Sequence, residues 1–164
     1  MRYEYMEIGM SDLEKLNIFS PCVLQRIAEI GFLASEYGFH EKAEQIFLGM
    51  ALAKPDSSAP AVSLAVVHAR SGRLQDAING LKHAAGVFPA SEMVKAMLGA
   101  FLVEARQDGA LELFEAVLAS RQEPGAVNIV ECWLDQARKL KEEGAARRTD
   151  TGSLAFFRHH NIRP

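Results

Sequence analysis

The sequence is poor in cysteine and has no recognisable export signal. Its two cysteines, Cys22 and Cys132, lie far apart in a chain of 164 residues. The first residues include Glu4, Glu7 and Asp12, whereas a secretory signal would have a basic start followed by an uninterrupted apolar run. A structural disulfide is therefore not expected, and the predicted location is the reducing cytoplasm.

Long apolar runs and a surplus of basic residues are also missing. No stretch reaches the roughly 18 consecutive apolar residues that a membrane span needs. The formal net charge is -3, so there is no basic excess to attract nucleic acid or anionic lipid. With 49% hydrophobic and 24% charged residues, the composition is that of a globular domain. The sequence therefore predicts neither a nucleic-acid partner nor a membrane partner.

The sequence lacks the common catalytic motifs. It contains no phosphate-binding glycine loop, no dinucleotide glycine fingerprint and no nucleophile elbow. The histidines His40, His68 and His83 have no Cys, Asp or Glu at a metal-binding or triad spacing. The adjacent pair His159-His160 would direct its two side chains apart. We therefore predict no catalytic residue, no cofactor and no metal site, and we expect a protein that is not an enzyme.

A recurrence of 34 residues is the strongest positive feature. Glycine, alanine and proline each recur at this spacing, in the pairs Gly38 and Gly72, Ala43 and Ala77, and Pro55 and Pro89. A period of 34 is that of a helical hairpin repeat, in which each unit contributes two helices. Small residues let the two helices approach closely, and proline ends the second helix because it has no N–H to donate.

Two complete units and a third, altered one can be aligned on this period. The characteristic positions are Gly31, Ala43, Phe47 and Pro55 in the first unit, and Ala65, Ala77, Leu81 and Pro89 in the second. The third unit begins in register at Gly99. Ala110 and Phe114 then restore the alanine-to-aromatic spacing if one residue has been lost from the turn near Gln107-Asp108-Gly109.

The apolar periodicity predicts seven helices. They are expected near residues 21–36, 40–53, 58–71, 74–87, 91–105, 109–121 and 125–142. The last of them would cover the open end of the repeat array. The predicted organisation is a lead-in segment over residues 1–20, a repeat domain with its capping helix over residues 21–143, and a basic tail over residues 144–164.

On these motifs, residues 24–124 resemble tetratricopeptide repeats. The resemblance implies an all-α, right-handed superhelical stack of about three hairpins that binds other proteins. The usual first-helix tryptophan and tyrosine are absent, and these positions hold Ile27 and Ala34, then Ala61 and His68. The stretches Gly72–Ile78 and Val94–Leu98 are also similar to small repeat proteins of bacterial type III secretion systems. That similarity implies a cytosolic chaperone or assembly component for a secretion substrate.

The tetratricopeptide resemblance places the first helix of each hairpin along a concave groove. The groove positions are then Gln25, Ala28, Phe32, Ser35, Val62, Val66, Ala69, Met93, Ala100 and Val103. Phe32 is the expected anchor. These positions hold no Lys or Asn, unlike repeat domains that grip a terminal carboxylate, so the expected partner is an amphipathic helix or an apolar segment.

Several alternatives remain open at this stage. An error of one residue in helical phase would move apolar groove residues into the core between repeats, and the residues concerned are Val62, Val66, Val103, Met93 and Met97. In function, a structural scaffold or self-associating repeat protein is the alternative to a chaperone, and a regulator without a secretion client is a further one. Homo-oligomerisation is therefore also possible.

The tail carries an apolar cluster, Leu154-Ala155-Phe156-Phe157, within a basic segment. Such a cluster is suited to an apolar groove. We therefore expect Phe156 and Phe157 to dock on the repeat array, in the same chain or in a second copy.

Overall fold

The computed structural model describes residues 20–158 and describes side chains as far as Gly144. Over these residues the chain forms seven helices and no strand. The helices are α1 (Pro21–Glu36), α2 (His40–Ala53), α3 (Ala59–Arg70), α4 (Leu74–Val87), α5 (Glu92–Glu104), α6 (Ala110–Ser120) and α7 (Pro124–Arg158). The first six agree with the predicted bounds to within one residue, and the all-helical class is confirmed. Residues 1–19 of the lead-in segment lie outside the described residues.

Local signals at the helix starts explain this agreement. Ser20 caps α1, since its hydroxyl accepts a hydrogen bond from the N–H of Val23 at 3.4 Å. Ser91 caps α5 in the same way through the N–H of Val94. Pro21 stands at the start of α1, where its missing N–H costs nothing. These residues mark the starts of the two helices through local hydrogen bonds and backbone preference, without a contact from elsewhere in the chain.

The chain divides into two compact units, and the boundary lies inside α4 between Ala77 and Ile78. In the first unit α2 packs against both α1 and α3, and α1 also contacts α3. The centre of this unit is a cluster of Ala43, Phe47 and Val67, all fully buried. The first unit is therefore built around the face of α2 that carries the repeat alanine and aromatic.

In the second unit α5 is the central helix. It packs against α6 and against α7, which also pack against each other. Buried residues occur all round α5, from Val94 through Leu98 to Val103. Phe114 and Val117 of α6 and Val130 of α7 are fully buried. A helix that is apolar on every side is an interior helix.

Three hairpin turns share one hydrogen-bonded conformation at the 34-residue interval. Their central residues, Gly38, Gly72 and Arg106, have φ values of 82°, 80° and 53°. In each turn the next residue donates its N–H to a carbonyl five residues earlier, at 2.8 Å in all three. This is the left-handed helix ending that glycine favours, and arginine adopts it in the third turn. The period therefore continues through a turn whose central position holds arginine instead of glycine.

The third hairpin is one residue shorter, as the sequence predicted. The buried alanines Ala43 and Ala77 stand five residues beyond Gly38 and Gly72, whereas Ala110 stands four residues beyond Arg106. Ala110 and Phe114 are both buried, so they occupy the alanine and aromatic positions of this repeat.

The first helices of two hairpins, α1 and α5, each need a glycine because an aromatic ring packs closely against the backbone there. A Cβ atom added to Gly31 would lie 2.7 Å from Cζ of Phe47. A Cβ atom added to Gly99 would collide with Cε1 of Phe114. Since real Cβ atoms do not approach a ring carbon so closely, each glycine creates the space that its aromatic partner fills.

The last helix is longer than predicted. It was expected to end near residue 142, but α7 continues to Arg158. Residues 145–158 contain several good helix formers and no proline, so nothing in this stretch stops the helix strongly. The side chains of Phe156 and Phe157 lie outside the described residues, and their docking stays a prediction. Within residues 20–158, no helix has both the length and the apolarity of a membrane span.

Candidate partner-binding surface

Helices α1 and α3, the first helices of two successive hairpins, carry the predicted groove residues of the first unit. We call the half-buried apolar members of this set the α1–α3 surface, and they are Ala28, Phe32, Val62, Val66 and Ala69. Val62, Val66 and Ala69 recur at spacings of four and three, so they share one side of α3. Because α1 contacts α3, a segment bound to one helix could also reach the other.

Phe32 is less accessible than an anchor on a free surface would be. Its ring packs against the buried ring of Phe47, with centroids 4.9 Å apart and planes inclined by 52°. Phe32 also packs against the core cluster of Ala43, Phe47 and Val67. The side chain therefore supports the core on one side and is only partly exposed on the other.

The remaining predicted positions on α1 are placed differently. Gln25 is exposed, and its amide donates to Glu29 at 3.4 Å. Ser35 is buried, with its hydroxyl 3.3 Å from Nδ1 of His40. Ser35 thus lies inside the first hairpin and is not available to a partner.

The second unit presents less of the predicted groove. Met93 on α5 is half-buried, but Ala100 and Val103 are buried. Both residues therefore lie in the core of the second unit. The sequence left this possibility open for Val103 but not for Ala100. The sequence pattern of an alanine or a valine does not show whether that residue lines a groove or fills a core. The packing of α6 and α7 around α5 decides between the two.

The two arginines at the end of α3 and in the turn after it have acidic partners. Nη1 of Arg70 lies 3.6 Å from a carboxylate oxygen of Glu36. Nη2 of Arg73 lies 2.8 Å from Oε2 of Glu44, and this hydrogen bond is the largest cause of the lowered pKa of Glu44. His68 lies 3.4 Å from the other oxygen of Glu44. These pairs leave neither Arg70 nor Arg73 as an unopposed cation for gripping a terminal carboxylate.

Among the described residues, no group of three or more His, Cys, Asp and Glu side chains is placed to hold a metal ion. Cys22 and Cys132 are both exposed and free.

Sequence reasoning missed a reciprocal pair of carboxylates in the second unit. Buried Glu92 accepts hydrogen bonds from the hydroxyl of Ser120 and from the N–H groups of Gln122 and Glu123 at 3.0 and 2.7 Å. Glu123 in turn accepts from the N–H groups of Glu92 and Met93 at 3.1 and 3.2 Å. The pKa of Glu92 is lowered, chiefly by the Ser120 hydroxyl. These bonds join the start of α5 to the α6–α7 linker, so their role is structural.

Sequence reasoning also missed an exposed apolar face on α1. Ile30, Leu33 and Tyr37 are 58%, 52% and 73% exposed, and Val23 is exposed as well. Val23, Ile30 and Leu33 lie on one side of α1, away from Phe32, and Tyr37 at the C-cap of the helix continues that side. We call this set the outer α1 face. The heptad spacing of positions 23, 30, 33 and 37 is a signal that could have identified it.

Comparison with known proteins identifies the fold. No protein-family model matches the sequence, and no curated protein matches it. Among solved structures, the crystal structure of PcrH from Pseudomonas aeruginosa matches with a TM-score of 0.60 and 14% sequence identity. The match covers 74% of this chain and 94% of the PcrH chain. The chain therefore has a tetratricopeptide-like helical repeat fold similar to that of PcrH.

Proposed function

We propose that this chain is a tetratricopeptide-like chaperone or assembly component for a type III secretion protein, whose apolar helix or segment it holds on the α1–α3 surface. PcrH, whose fold is similar, is a tetratricopeptide-like type III secretion chaperone. The stretches Gly72–Ile78 and Val94–Leu98 support the same assignment from the sequence. The proposed place of action is the cytoplasm, before export of the partner.

The observation that carries this proposal is the row of half-buried apolar side chains on α3. Val62, Val66 and Ala69 stay partly exposed although the neighbouring Ala65 and Val67 are buried. An amphipathic helix presents apolar residues at a matching spacing, so its apolar side can pack against this row. Partial exposure lets these residues bury further apolar area when a partner arrives, and burial of apolar area is the main driving force of association.

The charged groups favour an apolar partner over a free C-terminus. Recognition of a terminal carboxylate needs cations or amides directed at it. Arg70 and Arg73 already have acidic partners. None of the predicted groove positions holds Lys or Asn. An apolar partner segment needs no such group.

A self-associating scaffold is the second candidate, and the outer α1 face favours it. A second copy of the chain could bury Ile30, Leu33 and Tyr37 without using the α1–α3 surface. The two candidates therefore place the protein contact on opposite sides of α1.

Aspartate substitutions on α3 test which surface binds the partner. In the full chain, Val62→Asp together with Val66→Asp should weaken binding of a partner encoded beside this gene by on the order of 100-fold, because carboxylates would enter an apolar interface. Leu52→Asp is the matched control. Leu52 is 83% exposed on α2, outside the α1–α3 surface, so its variant should bind normally. Isothermal titration calorimetry on the purified variants would measure the affinities.

Far-UV circular dichroism shows whether the α3 variant remains folded. Equal affinity of the α3 variant and the Leu52→Asp control, with helical spectra retained, would exclude the α1–α3 surface as the binding site. Phe32 is a poorer probe. Because its ring contacts Phe47, a substitution at Phe32 would lower the stability of the fold as well as any affinity for a partner.

A further inference from the structure

A pocket in the second unit lies between the third hairpin turn, the start of α6 and the end of α7. Its volume is about 280 Å³, and residues 107–109 of the turn form part of its lining. The apolar lining consists of Ala110 and Ala137, which are buried, and of Leu111 and Leu140, which are half-buried. Two leucines that stay partly accessible beside an unfilled space show that core packing is incomplete at this place.

Among the side chains described in α7, the last buried one is Ala137. Ala126, Val130 and Ala137 are buried, whereas every residue from Arg138 to Gly144 is exposed or half-buried. The helix itself continues to Arg158. Burial of an apolar side is what mainly holds a helix against its neighbours. The described side chains after Ala137 contribute no fully buried contact of this kind.

Two ion pairs join this stretch of α7 to the third turn and to α6. Nζ of Lys141 lies 3.1 Å from Oε1 of Glu112 and donates a hydrogen bond to it. Nη1 of Arg106 lies 3.8 Å from Oε2 of Glu143. All four side chains are more than half exposed. Exposed ion pairs stabilise weakly, and dissolved salt screens them further, so their hold on α7 depends on ionic strength.

The backbone of the third turn supports a role for the Arg106 side chain. Arg106 has φ of 53°, a left-handed conformation that costs arginine more than it costs glycine, and Gly38 and Gly72 occupy the equivalent positions. Arginine brings to this position a charged side chain that reaches α7, which glycine could not do. A Cβ atom added to Gly144 would lie 3.8 Å from Oδ1 of Asp108. The end of α7 therefore lies directly beside the turn that carries Arg106.

We infer that the stretch of α7 from Arg138 to Gly144 is a latch over this pocket, which the two ion pairs close and which opens when salt screens them. Opening makes Leu111 and Leu140 accessible, so ionic strength regulates access to the pocket. The buried part of α7 and the whole of α5 stay in place. The latch involves only the second unit, so it goes beyond the proposed function of the α1–α3 surface and does not depend on it.

Thiol labelling at position 111 measures the opening. The full chain, with Cys22 and Cys132 replaced by serine, would carry Leu111→Cys and be treated with N-ethylmaleimide, which is uncharged. The labelling rate should rise roughly threefold between about 10 mM and about 1 M NaCl, because the screening length falls from about 30 Å to about 3 Å and labelling needs the open state. Leu118→Cys is the matched control. Leu118 is half-buried two turns further along the same side of α6 and is not part of the pocket lining, so its labelling rate should change little.

Charge reversal separates the latch from a general loosening of the fold. At low salt, Lys141→Glu should raise the labelling rate of the Leu111→Cys chain roughly threefold, since two carboxylates would then face each other. Adding Glu112→Lys restores a pair of opposite charges and should return the rate to near its original value. Far-UV circular dichroism would check that each variant keeps its helices. A labelling rate that does not respond to salt, or a swapped variant that stays as reactive as Lys141→Glu alone, would overturn the inference.

Discussion

Replacing Phe47 with alanine is expected to lower the free energy of unfolding by about 3–5 kcal/mol. Phe47 is fully buried, and its ring contacts Phe32, the backbone of Gly31 and the core cluster around Ala43 and Val67. Truncation removes the apolar area of the ring and leaves a cavity, and both effects lower stability. Urea unfolding followed by far-UV circular dichroism would measure the loss.

Leu52→Ala is the control for this prediction. Leu52 lies on the same helix as Phe47 but is 83% exposed, so its truncation should change stability by less than about 0.5 kcal/mol. Similar losses for Phe47→Ala and Leu52→Ala would mean that α2 does not turn its repeat aromatic into the core.

Replacing Gly99 with valine is expected to destabilise the chain by about 1–3 kcal/mol or more, because the new side chain would overlap the ring of Phe114. Phe114 is fully buried and cannot swing into solvent. The matched control is Gly80→Val on α4, where an added Cβ atom meets nothing within 4 Å. That variant should be nearly neutral, since valine forms helices somewhat better than glycine.

A second substitution at Phe114 would identify the cause of the loss. Phe114→Leu removes the ring atom that collides with residue 99, so the double variant Gly99→Val with Phe114→Leu should be more stable than the sum of the two single changes predicts. A coupling free energy of about 1–2 kcal/mol is expected for residues in direct contact. Additive losses in thermal and urea unfolding would show that the two residues do not share one space.

The helix bounds could be predicted from the sequence because their signals are local. Ser20-Pro21 and Ser91 start α1 and α5, and the glycine turns at Gly38 and Gly72 end α1 and α3. The third turn shows the limit of matching by residue identity. Arg106 adopts the conformation of Gly38 and Gly72 at the same 34-residue interval, but its identity conceals the repeat.

The parts of the candidate site that the sequence did not predict depend on contacts distant along the chain. Ala100 and Val103 are buried because α5 lies between α6 and α7, and no local pattern separates a groove alanine from a core alanine. The reciprocal bonds of Glu92 and Glu123 join residues 31 apart without a local signature. The outer α1 face is the exception, because its heptad spacing at positions 23, 30, 33 and 37 is a local pattern of the sequence.

The stoichiometry of the complex tests the proposed chaperone function most directly. The wild-type chain would be expressed alone and with each protein encoded beside its gene, then examined by size-exclusion chromatography with light scattering. A chaperone that holds an apolar segment is expected to elute as a stoichiometric complex with one small helical protein, and that complex should be lost with Val62→Asp and Val66→Asp. Elution as the same homo-oligomer whatever protein is co-expressed would contradict the proposal and favour a self-associating scaffold.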